Sequence, residues 1–541
     1  MKEHSITLER NAVSYFSCVG SSSFIAACSF AEPDKSTDST GPELYCCFLD
    51  DDQCDELASS FPAETHRNAA AQARLWSRFQ SQVSPACRVQ PRSADEIAAV
   101  LNVVRERRCR FAVLGGGTAP SAGSSNAEGG VTIDLRRMDD VRMVDAPKTD
   151  WSTNDPVVQV GGGARWADVY RLLEPRNMSA VGTRSSLTGV VGSILGGGIS
   201  FFSQARGWAC DNVLEFEVVL ANASVVLANE QTNSDLFRAL RGGGSNFGIV
   251  SRVTIDAFPQ PPALYKFRRW EVGAADRVFQ RLHVFAHAMP RDMEMIAVTL
   301  AWSARLPEFV LSERVVMSQQ LEAVESYDQP QEEPDPRDAA SVLEEHSYTR
   351  TPLQMAQVMD HTNQEGYFNY FGSVTVRSDP LLCQRIAAIF QREARSIVEV
   401  ADVKAYIVFN PLTVPTMQRM KGRGGNALGL DGEEGPLIVI NLNMHWTSEQ
   451  DTRRMRSLMV TLLYWFNKAA KSDGQDHAYV FLNHAFETQK PLLGYGRHAL
   501  RRLHQTRKAV DPDGVFQQLQ EAHHRLGLDP PEDTNPMKDE L

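Results

Sequence analysis

Glycine is concentrated in one part of the sequence, in a way that suggests a ligand lying on the backbone. Twelve of the 36 glycines form four Gly-Gly-Gly triplets, at 115–117, 161–163, 196–198 and 242–244. Glycine loses much conformational entropy on folding, so this concentration needs a reason, either positive φ angles or a closely approaching ligand. The first triplet follows an apolar run and precedes Thr118, where consecutive N–H groups can form a nest for phosphate oxygens. The alternative interpretation is that the triplets only form tight turns in a glycine-rich sheet protein.

The common nucleotide and metal motifs are missing from the sequence. It has no GxxxxGK[ST] segment and no GxGxxG opening a helix, which speaks against P-loop and Rossmann sites. The nine cysteines form neither a CxxC pair nor a Cys/His tetrad, so no metal site is predicted.

The composition favours an enzyme acting on a small molecule. The 541 residues carry 55 basic and 67 acidic side chains, a net charge of −12, and 43% of them are hydrophobic. A net-acidic chain without a Lys/Arg block argues against binding of nucleic acid or of an anionic membrane surface. The uncharged stretches 11–31 and 185–205 are diluted by serine or glycine, so neither is predicted to span a bilayer.

The hydrophobic pattern changes at the proline-rich segment 258–262. Before it, short strands alternate with amphipathic helices, and the Asn222-Ala223 turn predicts a hairpin. After it, longer helices separate apolar strands, which suits an antiparallel sheet with helices on one face. The predicted strands are 110–114, 131–135, 216–220, 224–227, 296–302, 372–376 and 437–441, and the predicted helices are 93–107, 164–173, 275–288, 380–397 and 450–470. Residues 322–338, acidic and proline-rich, are interpreted as a solvated insertion.

Longer motifs resemble a known family of flavoproteins. They are SPAC (84–87), FAVLGGG (111–117), GGVTIDL (129–135), LGGGISFF (195–202), GWACDNV (207–213), LFRALRGGGSNFGIV (236–250), GNALGL (425–430) and DPDGVF (511–516). The first three resemble the FAD domain of the vanillyl-alcohol-oxidase superfamily. Together, over about residues 45–520, they resemble its berberine-bridge-enzyme-like branch, particularly the fungal secondary-metabolism members.

The resemblance implies an α+β architecture, with a two-part PCMH-type FAD-binding domain and an antiparallel-sheet substrate domain backed by helices. The expected divisions are an N-terminal extension or signal peptide (1–44), a lead-in (45–82), the FAD-binding domain (83–259), the substrate domain (260–475), a C-terminal segment returning to the FAD domain (476–525) and a tail (526–541).

The resemblance also implies which residues contact FAD. The pyrophosphate would lie on the loop formed by Leu114, Gly115, Gly116, Gly117 and Thr118. The ring and ribityl chain would lie against Ser185, Ser186, Gly189 and Gly192, with Gly248, Ile249 and Val250 touching the cofactor through backbone groups.

Two positions depart from the family pattern. Many members have a histidine, bonded to the flavin 8α carbon, where this sequence has Thr118, and bicovalent members have a cysteine where it has Ser185. Hydroxyl groups are poor nucleophiles toward the flavin because of their high pKa. The sequence therefore predicts FAD bound without a covalent link.

Family members carry an acid/base group on a C-terminal strand, which corresponds here to 479–485. Asn483 is expected beside the cofactor, and His484 can take a substrate O–H or N–H proton at neutral pH. The alternative is that His484 has no catalytic role and is packed in the core or faces the solvent. Tyr370 and Tyr406 are further catalytic candidates; with Tyr367 and His445 they alternate with apolar residues on predicted strands, a pattern that core aromatics also show.

Several features together point to the secretory lumen. Lys2 and Arg10 precede a mildly apolar run that ends in a small-x-small pattern, either a signal peptide or a disordered extension, and the sequence ends in KDEL. Asn177 and Asn222 stand in glycosylation sequons. The family resemblance implies a disulfide between Cys54 and Cys87, with Cys46 or Cys47 as possible substitutes for Cys54. The chain would be cytoplasmic if the N-terminal signal does not function.

The functional prediction is an FAD-dependent oxidoreductase acting on an alcohol, amine or phenolic intermediate of a specialised metabolite. Substrate would lose hydride to flavin N5, and O2 would reoxidise the flavin. The alternative is a non-redox cyclase or isomerase that retains FAD. A bulk sugar is not expected as substrate.

Overall fold

The computed structural model describes residues 51–61, 64–67, 75–145, 156–288, 290, 293–306, 308–318, 341–422, 424–430, 432, 434–521 and 524–527. The predicted N-terminal extension, Cys46, Cys47, the insertion 322–338 and the C-terminal KDEL lie outside the described residues.

The first sheet carries the loop that contains the first glycine triplet. Strands β1 (Thr65–Arg67), β2 (Cys87–Val89), β3 (Phe111–Leu114) and β4 (Val131–Asp134) pair in the order β1-β2-β4-β3. β2 and β3 run parallel to β4, and β1 is antiparallel to β2. A helix at Ala94–Glu106 connects β2 to β3, begins at Ser93, whose hydroxyl accepts from Glu96 N, and buries one apolar face.

The second sheet is antiparallel. Its strands are β5 (Val141–Val144), β6 (Val157–Gly161), β8 (Val213–Val219), β9 (Val225–Asn229) and β10 (Ile249–Asp256), with β7 (Met178–Ser179) and β11 (Phe258–Pro259) forming a separate pair. The order is β5-β6-β10-β8-β9. β8 and β9 form the predicted hairpin, and Ala223 in its turn has a φ of +63°.

The third sheet has eight antiparallel strands. They are β12 (Ala263–Trp270), β13 (Met293–Ser303), β14 (Val310–Met317), β15 (Val342–Arg350), β16 (Phe368–Arg377), β17 (Lys404–Leu412), β18 (Leu437–Trp446) and β19 (Asp476–His477). Their order is β15-β12-β14-β13-β17-β18-β16-β19. Three helices, Ala275–Ala288, Pro380–Ala394 and Thr452–Ser472, cover one face and share a core with it. This arrangement confirms the α+β class.

Side chains alternate between the two faces of the third sheet. On β17, Ala405, Ile407 and Phe409 are fully buried in the helix-backed core. Tyr406 and Val408, between them, point to the opposite face and line a cavity. On each of these strands, therefore, alternate side chains either pack in the helix-backed core or face the cavity.

The other α-helices of the described residues are Asp51–Ser60, Arg78–Ser81, Trp166–Leu173, Val190–Leu195, Ser203–Arg206, Ser234–Leu240, Pro352–Asp360, Val414–Gly422, Arg497–Val510 and Val515–Gln518. After the last of them the chain returns to the first sheet, where Phe111 N donates to Leu519 O over 3.0 Å. Among the helices of the described ranges, none combines the length and apolar character that a bilayer span requires.

One predicted element is wrong. The segment 479–485, expected as a strand, is extended only at its start and then forms a 3-10 turn over Leu482–His484. His484 N donates back to Phe481 O at 3.0 Å. The turn places Asn483 against a glycine loop, so polar contacts with that loop replace the hydrogen bonds of a strand ladder.

The predicted disulfide is confirmed. Cys54, in the helix Asp51–Ser60, is bonded to Cys87 at the start of β2, and their Cα atoms are 6.0 Å apart. Both side chains lie in the core of the first sheet. The bond ties the helix Asp51–Ser60 to β2, in the same sheet as the strand β3 that leads into the first glycine triplet.

We expect reduction of this disulfide to lower the free energy of unfolding by ~3–4 kcal/mol, because the bond closes a loop of 33 residues in the unfolded chain. Denaturant titrations of the wild type with and without reductant measure the loss. The variant Cys54→Ala/Cys87→Ala is the control, since its stability must not respond to reductant. Equal stability of the wild type in both conditions contradicts the prediction.

Candidate active site

A cavity of about 830 Å³ lies between the glycine loops and the uncovered face of the third sheet. Its floor consists of the loops 115–121, 183–198 and 244–250. Its roof consists of cavity-facing residues of strands β12, β13, β14, β16, β17 and β18, and the segment 481–485 closes one side. The volume is within the range typical of small-molecule and cofactor sites.

Two glycine loops touch through their backbones at the floor. A Cβ atom on Gly116 would lie 2.3 Å from the Cα atom of Gly189, so a side chain at this position would force the loops apart. Gly117 has a φ of +75°, which favours glycine. Arg165 holds the loop from the side, its Nε donating to Gly116 O over 3.1 Å. The floor therefore offers bare backbone to a ligand.

Asn483 joins the C-terminal segment to the third glycine loop. Its Oδ1 accepts from Gly198 N at 3.1 Å, and its Nδ2 donates to Gly192 O at 3.4 Å. A Cβ atom on Gly196 would come within 2.2 Å of Asn483 Nδ2. Gly196 is therefore required for the amide to reach the loop, and the amide fixes the turn that carries His484.

Most of the predicted cofactor residues come together in the cavity lining. These are Gly115, Gly116, Gly117, Thr118, Ser185, Gly189, Gly192, Gly248, Ile249, Val250 and Asn483. Leu114 and Ser186 do not line it. Leu114, the last residue of β3, is fully buried and packs against Leu75.

Asp360 is a residue of this site that the sequence analysis missed. It ends the helix Pro352–Asp360 and accepts hydrogen bonds from Ser185 Oγ at 2.7 Å, Ser186 N at 3.0 Å and Ser186 Oγ at 2.5 Å. These bonds turn the Ser186 side chain away from the cavity and orient the Ser185 hydroxyl. No local pattern marks Asp360, since its partners lie about 175 positions earlier in the chain.

His484 lines the cavity with one unsatisfied nitrogen. Its Nδ1 is buried and has no hydrogen-bond partner among the described residues. The ring stacks on Phe371, with centroids 4.7 Å apart and planes 19° apart. Burial, followed by the charge of Arg184, lowers the pKa of His484 to about 3. The imidazole is therefore neutral at pH 7 and offers an acceptor to a bound molecule.

Tyr406 also lines the cavity and is oriented by two buried residues behind it. Asn369 Nδ2 donates to Tyr367 O at 2.7 Å, which leaves Asn369 Oδ1 as the acceptor for His445 Nδ1–H at 2.6 Å. This tautomer leaves His445 Nε2 to accept from the Tyr406 hydroxyl at 3.2 Å. The side chain of Thr362, which also lines the cavity, lies within hydrogen-bonding reach of the same Tyr406 oxygen. Burial raises the pKa of Tyr406 to about 12, so the phenol stays protonated.

Tyr370 does not lie in the cavity. It shares a face of β16 with Phe368, under the helices, where its ring lies 4.9 Å from Trp446 and 5.2 Å from Phe79. Its neighbour Phe371 points into the cavity instead. The pleat of the strand explains the difference, and Tyr370 is not retained as a catalytic candidate.

The buried His445 should make the fold sensitive to acid. Burial, then the charges of Lys404 and His484, lowers its pKa from 6.5 to about 3. Below pH 6.5 the unfolded chain takes up a proton that the folded one excludes, so stability falls as pH falls. We expect His445 to contribute a loss of about 2 kcal/mol between pH 7 and pH 5. In His445→Gln, unfolding titrations should show a loss smaller by that amount; equal acid sensitivity of both proteins contradicts the assignment.

Comparison with known proteins identifies the family. Residues 85–229 match the model of an FAD binding domain. FAD-dependent monooxygenase tpcD of Cochliobolus heterostrophus is 31% identical over 482 residues, covering 85% of this chain and 89% of its own. FAD-dependent monooxygenase FUP4 of Fusarium proliferatum is 31% identical over 467 residues, covering 83% and 87%. The chain belongs to the berberine-bridge-enzyme-like family of FAD-linked oxidoreductases.

The fold is that of solved flavin oxidases. Glucooligosaccharide oxidase from Acremonium strictum, a protein with 6-S-cysteinyl, 8α-N1-histidyl FAD, superposes with a TM-score of 0.68 at 20% identity, covering 87% of this chain and 99% of its own. At this identity the likeness shows the fold alone.

The residues in the cavity fit FAD. Gly115, Gly116 and Gly117 line the cavity, and consecutive backbone N–H groups of such a glycine loop suit phosphate oxygens. Gly248, Ile249 and Val250 add a second stretch of accessible backbone, and Thr118 and Ser185 supply hydroxyl groups.

Proposed function

We propose that this enzyme oxidises an alcohol, amine or phenolic intermediate of a specialised metabolite, using FAD that is held without a covalent bond. The observation that carries the proposal is the meeting, in one cavity, of the glycine floor with two neutral polar groups, His484 and Tyr406. Relatives named FAD-dependent monooxygenases support the cofactor and the redox class.

The chemistry that FAD supplies when bound is acceptance of two electrons from the substrate as a hydride. The protein must supply a place for the proton. The neutral imidazole of His484 lies in the lining, and the turn fixed by Asn483 holds its ring against Phe371. We assign His484 to receive the proton of the substrate O–H or N–H group.

Tyr406 supplies orientation in this proposal. Its hydroxyl proton points to His445, and its oxygen, which Thr362 also contacts, keeps a lone pair that can accept a hydrogen bond from the substrate. Asn369 keeps His445 in the tautomer that this requires. The apolar side chains of Phe371, Val408 and Phe481 border the same space and limit the access of water.

The proposal is tested by mixing the purified holoenzyme anaerobically with a panel of alcohols, amines and phenols. We expect a substrate to bleach the flavin absorbance and the colour to return on admission of air, if O2 is the electron acceptor. Product formed without bleaching would overturn the redox assignment and indicate the cyclase or isomerase alternative. Bleaching that persists in air would replace O2 with another acceptor.

We further propose that the chain matures in the secretory lumen. The disulfide Cys54–Cys87 favours an oxidising compartment. Asn177 caps the end of a short 3-10 helix in the left-handed backbone conformation, and Asn222 lies in a hairpin turn. Both residues are exposed and therefore accessible for glycosylation. A mobility shift on glycosidase treatment, lost in Asn177→Gln/Asn222→Gln, tests this; an unshifted wild type from a secretory host contradicts it.

A further inference from the structure

Arg314 brings an uncompensated positive charge to the roof of the cavity. It lies on β14, and its Nη1 donates to Thr299 Oγ1 at 3.3 Å. The guanidinium lies over the Phe267 ring, 5.3 Å from its centroid, and its Nε is buried without a hydrogen-bond partner among the described residues. Thr299 and Phe267 also line the cavity.

Arg184 extends from the floor loop to the same roof. Its Nη2 donates to Asn410 Oδ1 at 2.8 Å, and its Nη1 lies 3.8 Å from the Met295 sulfur. Burial, then the charge of Arg314, lowers the pKa of Arg184 to about 10, so the group remains cationic at pH 7. The two guanidinium groups therefore repel each other across a partly desolvated space.

Two arginines on the neighbouring strand β12 are balanced by carboxylates. Arg269, which also lines the cavity, pairs with Glu344 at 3.6 Å, and Arg268 pairs with Glu313 and Glu345. Within the described residues, neither Arg184 nor Arg314 forms an ion pair with a carboxylate. Holding two like charges together away from water is costly unless an anion compensates them.

Both arginines border the space used by the candidate proton acceptors. The charge of Arg184 acts on His484, and the charge of Arg314 acts on Tyr406. Their hydrogen bonds end on the roof residues Thr299 and Asn410, not on the glycine floor. Both side chains therefore line the same cavity as His484 and Tyr406.

We propose that Arg184 and Arg314 form a binding subsite for an anionic oxygen of the substrate, a carboxylate or a phenolate. A planar guanidinium binds such an oxygen through charge-assisted and often bidentate hydrogen bonds. The inference rests on the proposed function in taking the occupant to be the substrate. It adds that the substrate is an organic anion, anchored by this oxygen while a different group of the molecule reacts near His484.

Binding measurements on the holoenzyme test the subsite without requiring turnover. Calorimetric titration compares benzoate with its neutral isostere benzamide, and 4-nitrophenolate with 4-nitroanisole. We expect the preferred anion to bind at least ~10-fold more tightly than its neutral partner, the effect of one charge-assisted hydrogen bond or more. The pair that shows the larger ratio identifies the carboxylate or the phenolate as the recognised group.

Arg314→Met and Arg184→Met remove the charge and retain an apolar side chain of some length. Each should weaken binding of the preferred anion by about 10–100-fold and leave that of the neutral partner unchanged. Arg269→Met is the matched control, because it removes a cavity arginine that already has a carboxylate partner; its anion affinity should stay within about twofold of the wild type.

Two outcomes overturn the subsite. The first is equal binding of anions and their neutral isosteres by the wild type. The second is loss of FAD by arginine variants that keep their preference for anions, which would assign the two charges to the cofactor. The flavin content of every variant is therefore measured beside the titration. Selective anion binding by a protein that fails to bleach in the substrate panel would leave the subsite standing and remove the proposed oxidation.

Discussion

Replacing His484 with alanine is expected to slow the anaerobic reduction of FAD by substrate about 10²-fold. A positioned general base typically contributes 10²–10⁴-fold. The lower end applies here, because burial and Arg184 hold the pKa of His484 at about 3, below the value that suits a base at neutral pH. Stopped-flow measurement of flavin bleaching gives the rate, and the flavin content should match that of the wild type.

Two further variants separate proton acceptance from packing. His484→Phe keeps an aromatic ring that can stack on Phe371 but has no acceptor, whereas His524→Phe changes a cavity histidine whose two nitrogens already face the carbonyls of Gln489 and Ala485. We expect His484→Phe to be as slow as His484→Ala. Recovery of the wild-type rate in His484→Phe would reduce His484 to a packing residue.

The floor of the site could be predicted from the sequence because its signal is local. A glycine triplet after a strand marks bare backbone, and Gly116 and Gly117 lie where that pattern placed them. The helices at 275–288 and 380–397 were likewise marked by their own apolar spacing and occur at these positions, the second ending in a 3-10 turn at Arg395–Ile397.

The roof could be predicted only as far as its strands. The sequence marks Tyr370 and Tyr406 as equivalent aromatics on apolar strands, but the pleat places one under the helices and the other in the cavity. Only the strand register, which a single sequence does not give, separates the two. The Asn369–His445 pair that orients Tyr406 depends on the same register, since Asn369 and His445 face each other across β16 and β18.

Contacts between distant segments were beyond sequence analysis for a different reason. Asp360 binds Ser185 and Ser186 through a helix end, and Arg184 meets Arg314 only because the floor loop reaches the roof. Each partner is an ordinary surface-type residue in its own stretch of sequence. Their roles follow from the packing of floor and roof around one cavity.

Denaturation is expected to release all of the FAD from the protein. The links that the family resemblance implies join the 8α carbon to an imidazole nitrogen and C6 to a cysteine sulfur, whereas the two positions matched to them here hold the hydroxyls of Thr118 and Ser185, which are poor nucleophiles. The Ser185 hydroxyl is engaged further by Asp360, at 2.7 Å. After acid denaturation and filtration, the yellow colour should appear in the filtrate.

No other described thiol is placed to replace the missing tether. The three free cysteines among the described residues, Cys109, Cys210 and Cys383, are buried and do not line the cavity. Burial also raises the pKa of the Cys210 and Cys383 thiols well above 9, so neither forms a thiolate at neutral pH. A fluorescent flavin band that migrates with the polypeptide on a denaturing gel would contradict non-covalent binding. Peptide mapping of that band would then locate the attachment.

The variant Thr118→His/Ser185→Cys tests the same argument in the opposite direction. Thr118 and Ser185 both line the cavity, and the glucooligosaccharide oxidase with a 6-S-cysteinyl, 8α-N1-histidyl FAD shares this fold. If the positions match, part of the flavin should remain with the denatured variant, while Thr118→Ser/Ser185→Thr, which keeps only hydroxyls, releases it all.

Without a covalent link, the affinity of the wild type for FAD must come from the glycine floor. The variant Gly116→Ala, whose added methyl group forces this loop away from Gly189, should therefore lower the flavin content of the folded protein.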